Sequence, residues 1–274
     1  MTETNDIEVN GISPSAKMLA EVEEGIGWIT FNNPARRNAV SMEMWQALAK
    51  ILNHYQQDST VRVIIIKGAG EKAFVAGAAI SEFDKKRSNQ QQRDEYEGVF
   101  DQAQTALAEF DKPLIAMIQG FCIGGGLAVA VNTDIRIATD DSVFGIPAAR
   151  LGLGYGYASI KTLVSLVGPS HAKDILFSAR FLNTEEALRI GLVNFVVSRE
   201  HLAKTVLDYA NTLVANAPLT IKACKAAISE VVKDSGQDSP EYVDKLVNDC
   251  FLSEDYKEGR EAFMEKRKPV FRGK

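Results

Sequence analysis

The chain has 274 residues, of which 46% are hydrophobic and 24% are charged, and its formal net charge is −5 at pH 7. This length is sufficient for one or two domains with a sizeable core. The acidic balance argues against nucleic-acid binding, which usually requires a basic surface. We therefore expect the partner to be a small molecule or another protein subunit.

The amino-terminal sequence and the cysteines indicate a cytoplasmic protein. Residues 1–8 are acidic and lack both the apolar core of a signal peptide and the arginines of a transit peptide. No apolar run elsewhere approaches the roughly 20 residues that span a bilayer. The cysteines have spacings that fit neither a disulfide framework nor a zinc site: Cys122, Cys224 and Cys250. We therefore expect no membrane span and no bound metal.

Strand-like and helix-like segments alternate over the first two thirds of the chain. Helical patterns run from Asn38 to Tyr55 and, on one helical face, from Tyr96 to Phe110. Short β-branched runs predict strands at Trp28–Phe31, Val61–Ile66, Leu114–Ile118, Asp134–Ala138 and Leu192–Val197. This alternation predicts an α/β architecture with parallel strands.

The last third of the chain is predicted to be mainly helical. Asn183 with Glu186 is typical of a capping box, and Ser239 before Pro240 is typical of a helix start. Helices are predicted at Pro218–Val232, Ser239–Leu252 and Glu254–Lys266. We therefore predict a core domain of residues 1–200 and a C-terminal helical region of residues 201–274.

Two glycine-containing turns predict a site for an anion. Three glycines, Gly124 to Gly126, follow a strand and precede a helical stretch, where backbone N–H groups and the helix dipole favour negative charge. A second turn, Ala76-Gly77-Ala78, also follows a predicted strand. N–H groups from two such turns can converge on one oxygen, which is the arrangement of an oxyanion hole.

The same region also allows a second hypothesis, a cysteine-dependent acyl hydrolase. Cys122 lies between Gly120 and Gly124, as the nucleophile does in a strand-to-helix nucleophile elbow. Such an enzyme requires an acid and a histidine later in the chain. The residues available for these roles are Asp134, Asp140, Asp174, His171 and His201. The two histidines lie in helical, amphipathic patterns rather than in loops, which weakens this hypothesis.

Taken together, these segments resemble the crotonase superfamily, the enoyl-CoA hydratase/isomerase family, along nearly the whole chain. The segments that match in order are Asn33–Ala39, Lys72–Ala78, Gly120–Asp134, Phe144–Pro147, Leu151–Gly152, Asn183–Ala187 and Ala262–Pro269. Each motif alone is weak, but the ordered set is specific. The resemblance implies the crotonase (ClpP-like) spiral of ββα units with a C-terminal helical region, assembled into homotrimers or homohexamers.

The resemblance also implies a substrate and a site. The substrate is an acyl-CoA thioester whose carbonyl becomes an enolate, with no tightly bound cofactor. The backbone N–H groups of Ala78 and Gly125 correspond to the oxyanion hole. Positions expected to contact coenzyme A are Ala35, Arg37, Ala76, Ala79, Ile80, Ser81, Gly126, Phe263 and Lys266. The last two are expected to reach it from the same or a neighbouring subunit, with Lys266 suited to a phosphate.

The sequence departs from the family at the positions that carry acid–base chemistry. Typical hydratases have two glutamates, and the corresponding positions here are Ala128 and Ala148. A methyl group cannot transfer a proton, so efficient syn-hydration is not expected. Ala79 and Ser81 stand where many relatives carry aspartate and lysine.

Few polar side chains remain near the expected site: Arg150, Tyr155 and Tyr157. Tyr155 matches the position of a tyrosine in family members that resemble methylmalonyl-CoA decarboxylase. Loss of CO₂ generates an enolate without a strong base, so Tyr155 is a candidate catalytic residue. Decarboxylation, isomerisation and thioester hydrolysis all remain open, as does a CoA-binding protein without catalytic activity.

Overall fold

The computed structural model describes residues 13–79, 89–233 and 239–274. Two predicted coenzyme A contacts, Ile80 and Ser81, lie outside the described residues. Within the described ranges, none of the helices combines the length and the apolar character needed to cross a bilayer.

The strands form two sheets. The larger sheet has the order β1-β2-β3-β5-β7-β10, in which only the β1–β2 pair is antiparallel. Its strands are β1 Met18–Glu23, β2 Ile26–Phe31, β3 Val63–Gly68, β5 Leu114–Ile118, β7 Ile135–Thr139 and β10 Phe195–Val197. The smaller sheet has the order β4-β6-β8-β9, with an antiparallel last pair. Its strands are β4 Ala73–Val75, β6 Phe121–Ile123, β8 Val143–Gly145 and β9 Leu182–Asn183.

The described residues form ten α-helices and one short 3₁₀ helix at Pro34–Arg36. The α-helices are α1 Met42–Gln57, α2 Gln90–Ala108, α3 Gly125–Val131, α4 Ala148–Leu151, α5 Tyr157–Ser178, α6 Thr184–Arg189, α7 Arg199–Ala215, α8 Pro218–Val231, α9 Pro240–Leu252 and α10 Glu254–Glu265. Helix α5 is interrupted at Gly168, which has a positive φ of 74° and is followed by Pro169. The capping box of Asn183 and Glu186 is confirmed, whereas Ser239 takes the N-cap position without a side-chain capping bond.

A three-part unit repeats along the core. Each unit consists of a strand in the larger sheet, a strand in the smaller sheet and a helix: β3–β4–α2, β5–β6–α3 and β7–β8–α4. The prediction of an α/β architecture with largely parallel strands is therefore confirmed. The repeat places the ends of β4 and β6 side by side, because these two strands are parallel neighbours.

The larger sheet is buried on both faces. The first four residues of β3, Val63 to Ile66, are fully buried, as expected for a parallel strand covered on both sides. Val63 and Ile65 belong to one cluster, which includes Leu202 and Val206 of α7, whereas Ile64 belongs to the cluster on the other face. Helix α7 begins at Arg199 and therefore spans the predicted boundary between residues 200 and 201.

The C-terminal region, which comprises α8 to α10 and the segment after them, contacts the core through polar groups. The ammonium group of Lys225 lies 2.8 Å from a carboxylate oxygen of Asp134. The guanidinium of Arg62 donates to the main-chain oxygen of Phe271 at 2.6 Å. These helices match the three predicted ones to within one residue at each end.

Candidate active site

The first glycine turn follows β4 and is fixed by an adjacent backbone segment. The Val40 N–H donates to the Gly77 oxygen at 2.8 Å, and the Ala79 N–H donates to the Val40 oxygen at 2.9 Å. Both bonds lie on the same side of the turn, so the N–H of the intervening residue, Ala78, is directed to the other side. Gly77 has a φ of 107°, a conformation that favours glycine.

The second turn follows β6 and begins α3. Gly125 is the first residue of this helix, so its N–H has no acceptor within the helix. The next residue, Gly126, leaves no room for a side chain, because a Cβ there would lie 2.2 Å from the Val75 oxygen. This close approach holds α3 directly against β4.

The two turns lie against each other. A Cβ on Gly124 would lie 3.7 Å from the Gly77 Cα, and one on Gly125 would lie 3.9 Å from the Gly77 carbonyl carbon. That carbonyl carbon is bonded to the Ala78 nitrogen. Ala78 and Gly125 are both half-buried, so this point of the surface is accessible to a ligand. The structure thus brings together the two backbone segments that the sequence predicts to form an oxyanion hole.

The buried side chain of Asn38 connects the loop before α1 to β4. Asn38 is fully buried; its Nδ2 donates to the Ala73 oxygen at 2.9 Å and to the Phe74 oxygen at 3.2 Å. Its Oδ1 accepts from the Asn33 N–H at 2.9 Å. Sequence reasoning did not single out Asn38, because only the fold shows that it bridges two loops far apart in the chain.

Trp45 supports the second turn from α1. A Cβ on Gly125 would lie 3.1 Å from Cζ2 of the Trp45 ring. The ring is held in place because Nε1 donates to the Tyr96 hydroxyl at 3.0 Å and its edge packs on Phe100. A larger residue at position 125 would therefore press on a ring that is fixed on two sides.

Ala128 and Tyr155 line one small cavity beside α3. Its lining also includes Gln104, Asn132 and Ser159, which come from separate parts of the chain. Ala128 is buried, about one helical turn after Gly125. Ala148 is also buried, at the start of α4. The structure therefore places Tyr155 beside one of the two alanines that replace the expected glutamates.

Two of the polar residues noted in the sequence face elsewhere. Tyr157 is 73% exposed at the start of α5. The guanidinium of Arg150 lies 5.8 Å from the centre of the Phe181 ring.

The loop of Ala35 and Arg37 contacts the site through its backbone. The Ala76 N–H donates to the Arg37 oxygen at 3.0 Å. The Arg37 guanidinium lies 4.9 Å from the Phe121 ring centre, and Phe121 is at the opposite end of β6 from the glycine turn. There it lines a larger cavity of about 380 Å³ together with Lys72 and Arg199. The side chain of Arg37 is thus separated from the candidate oxyanion hole.

The C-terminal residues predicted to contact coenzyme A are on the surface. Phe263 is 83% exposed on α10. Lys266 is exposed at the end of this helix and has a positive φ of 57°. Both side chains are accessible to a neighbouring subunit.

Cys122 does not occupy a nucleophile elbow. It is the central residue of β6 and is fully buried. Burial raises the pKa of its thiol, so the reactive thiolate is disfavoured. His171 and His201 lie within α5 and α7, as predicted. The structure therefore gives the cysteine hydrolase no support. Among the described residues, no group of three or more His, Cys, Asp or Glu side chains is arranged to hold a metal ion.

Comparison with known proteins defines the class. The family model described as enoyl-CoA hydratase/isomerase matches residues 21–274. The chain therefore belongs to the enoyl-CoA hydratase/isomerase family, as the sequence motifs predicted.

Curated relatives and solved structures agree with this assignment. The chain is 36% identical to a short-chain-enoyl-CoA hydratase of Clostridium acetobutylicum, over 92% of this chain and 95% of that protein. It is 34% identical to a crotonyl-CoA hydratase of Syntrophomonas wolfei, over 93% and 97% of the two proteins. A crystal structure of an enoyl-CoA hydratase/carnithine racemase from Magnetospirillum magneticum superimposes with a TM-score of 0.90 at 33% identity, covering 96% of this chain and 98% of that chain. The predicted crotonase fold is thus confirmed.

Proposed function

We propose that this protein binds an acyl-CoA thioester with the carbonyl oxygen between the N–H groups of Ala78 and Gly125, and stabilises the enolate formed from it. The observation that carries this proposal is the contact between the Gly77 and Gly124–Gly125 turns, where a Cβ on Gly124 would lie 3.7 Å from the Gly77 Cα. Each donor of an oxyanion hole typically contributes roughly 2.7–4 kcal/mol to transition-state stabilisation. Because both donors belong to the backbone, the identity of the side chain at position 78 matters little.

The coenzyme A moiety is proposed to bind along the two turns and the loop before α1. The residues proposed to contact it are Ala35, Arg37, Ala76, Ala79, Ile80, Ser81, Gly126, Phe263 and Lys266. Phe263 and Lys266 are proposed to act across a subunit interface in a homotrimer or homohexamer. The exposure of both side chains supports this arrangement.

We further propose that syn-hydration is not the efficient reaction of this protein. Ala128 and Ala148 offer no group that transfers a proton, and the described residues that line the cavity beside Ala128 include no carboxylate. Hydration requires a base to activate water. A reaction that reaches the enolate by loss of CO₂ needs no base to remove a proton, and Tyr155 is proposed to orient the substrate or protonate the product. Isomerisation and thioester hydrolysis are the other candidate reactions.

A panel of thioesters tests the proposed function. The purified protein is incubated with crotonyl-CoA, malonyl-type acyl-CoAs and 3-ketoacyl-CoAs, and products are identified by mass spectrometry. We expect turnover of at least one thioester and poor hydration of crotonyl-CoA. Binding of every thioester without turnover would contradict catalysis and favour a CoA-binding protein without activity. Failure to bind any of them would contradict the whole proposal.

A further inference from the structure

A cavity at the amino ends of β4, β6 and β8 is lined by positively charged side chains. Its volume is about 380 Å³, which is within the range of small-molecule sites. Its cations come from three separate parts of the chain: Arg37 before α1, Lys72 before β4 and Arg199 at the start of α7. Phe121 and Val143, the first residues of β6 and β8, provide an apolar wall. This lining suits an organic anion better than a neutral molecule.

The fold fixes two of the cations against Phe121. The Phe121 N–H donates to the Lys72 oxygen at 3.2 Å. The preceding residue, Gly120, has a φ of 63°, and a Cβ there would lie 2.2 Å from the Lys72 oxygen, so this approach requires glycine. The Arg37 guanidinium lies 4.9 Å from the centre of the Phe121 ring. Lys72 is thus held through its backbone and Arg37 through its side chain.

The two acidic residues of the cavity interact with the third cation, Arg199. Its guanidinium forms a salt bridge with Asp141 and donates to the Glu71 main-chain oxygen at 2.6 Å. Hydrogen bonds from the Thr139 hydroxyl and from Arg199 hold the pKa of the Asp141 carboxyl below its usual value, so this group is ionised. The bond to Asp141 and the negative charges of Asp141 and Glu71 raise the pKa of Arg199. The acidic charge of the cavity is therefore directed at Arg199.

Arg37 and Lys72 have no acidic partner of their own. Neither side chain forms a salt bridge within the residues that the structure describes. A guanidinium can bind two oxygens of one phosphate, and an ammonium group contacts phosphate as a point charge. A phosphate monoester carries nearly two negative charges at neutral pH, whereas a carboxylate or a sulfate ester carries one. The two unpaired cations therefore favour a phosphate monoester.

Strand β6 separates this cavity from the candidate oxyanion hole. The cavity lies at Phe121, whereas the glycine turn begins at Gly124, three residues later. Three residues of strand correspond to about 10 Å. A ligand in the cavity therefore needs no contact with Ala78 or Gly125.

We propose that this cavity is a second binding site, which takes a small organic phosphate monoester other than the acyl-CoA substrate. The phosphoryl group binds between Arg37 and Lys72, and the organic part packs on Phe121 and Val143. This site does not depend on the proposed function, so either can be refuted while the other stands.

Three ligands of matched shape test the charge requirement. The affinities of phenyl phosphate, phenyl sulfate and phenol for the full chain are measured by isothermal titration calorimetry. We expect phenyl phosphate to bind about fivefold more tightly than phenyl sulfate, because the second negative charge adds one exposed ion pair, and phenol to bind least. Absence of phenyl phosphate binding, or equal affinity for phenyl phosphate and either of the other two ligands, would overturn the inference.

Competition distinguishes this cavity from the acyl-CoA site. The titration with phenyl phosphate is repeated at a saturating concentration of butyryl-CoA, and its affinity is expected to be unchanged. Displacement by butyryl-CoA would overturn the second site. Binding of phenyl phosphate by a protein that binds no thioester would support the second site and contradict the proposed function.

Substitutions of the two unpaired cations locate the ligand. Arg37→Met should weaken phenyl phosphate binding about tenfold and Lys72→Met about fivefold, since the first removes a bidentate contact and the second a point charge. The control is Arg36→Met, because Arg36 is exposed beside Arg37 in the sequence and does not line the cavity. Unchanged affinity in both cavity variants, or an equal loss in the control, would refute the inference.

Discussion

The glycine turns are closely packed within the chain, whereas the C-terminal helices leave large apolar side chains exposed. At the turns, backbone lies so close to backbone that Gly126 cannot carry even a methyl group. On the C-terminal helices, large apolar side chains remain uncovered, with Val231 84% and Leu252 72% exposed. Close packing within one chain supports the candidate site, whereas an exposed apolar surface of this kind indicates a protein interface. This contrast supports the proposals that one chain forms the candidate oxyanion hole by itself and that the C-terminal helices contact another subunit.

The largest effect is expected from Gly126→Ala. The added Cβ would lie 2.2 Å from the Val75 oxygen, so α3 must move away from β4. We expect the free energy of unfolding to fall by about 3 kcal/mol and turnover to be lost, as measured by denaturant titration and by assay. Gly98→Ala is the control, since Gly98 is exposed within α2 with open space around it. Alanine there should raise the free energy of unfolding by roughly 0.5–1 kcal/mol. A Gly126→Ala protein as stable as the parent would refute the close packing.

Gly125→Val is expected to affect function more than stability. Its side chain would press on Trp45 and displace the start of α3, so the N–H donor would no longer meet the substrate oxygen. We expect turnover to fall by about 10²–10³-fold, with a smaller loss in Gly125→Ala. Steady-state kinetics on the best substrate of the thioester panel measures both. A folded Gly125→Val variant with full turnover would show that the oxyanion-hole assignment is wrong.

Ala128→Glu with Ala148→Glu tests whether only the acid–base groups are missing for hydration. Each missing group is expected to cost about 10²–10⁴-fold in rate, so the unaltered protein should hydrate crotonyl-CoA poorly. Restored hydration in the double variant, followed by loss of absorbance of the conjugated thioester, would show that the two positions still flank one water. Rapid hydration by the unaltered protein would contradict the proposal and indicate another acid–base pair, for which the first candidates are Tyr155 and Glu82; Glu82 lies outside the described residues.

Substitutions on the C-terminal helices should have the smallest effect on the candidate site and the clearest effect on assembly. We expect the unaltered protein to be a trimer or hexamer by light scattering, and Ile228→Asp with Val231→Asp to dissociate it. Both residues are exposed on α8. The control, Val22→Asp, changes an exposed residue of β1, which belongs to the core domain and not to the C-terminal helices. A monomeric unaltered protein at micromolar concentration would argue decisively against the proposed interface.

Sequence patterns predicted several of the longer elements of this fold, but they did not predict β1, the bounds of α5 and α7, or the short strands of the smaller sheet. β3 begins with four β-branched residues, Val63 to Ile66, and the predicted range Leu114–Ile118 matches β5 at both ends. The short strands of the smaller sheet, such as β4 and β8, have three residues each, too few for a periodic pattern. Their pairing depends on the ββα repeat rather than on local sequence.

The candidate site was predictable only where its function depends on backbone. Gly77 and Gly124–Gly126 mark turns that glycine makes possible, so local sequence identified them. Gln104 of α2 and Asn132, the residue that follows α3, meet beside Ala128, and no local pattern predicts that contact. Asn38 was missed for the same reason, because its acceptors lie more than thirty residues further along the chain.

The vibrational frequency of the bound thioester carbonyl tests the central claim most directly. Butyryl-CoA labelled with carbon-13 at this carbonyl is bound to the protein, and an isotope-edited infrared difference spectrum isolates its stretching band. Two N–H donors that polarise the C=O bond should move this band to lower frequency than in water, and the shift should disappear in Gly125→Val. A tightly bound thioester whose carbonyl absorbs at the same frequency as in water would contradict the oxyanion hole formed by Ala78 and Gly125.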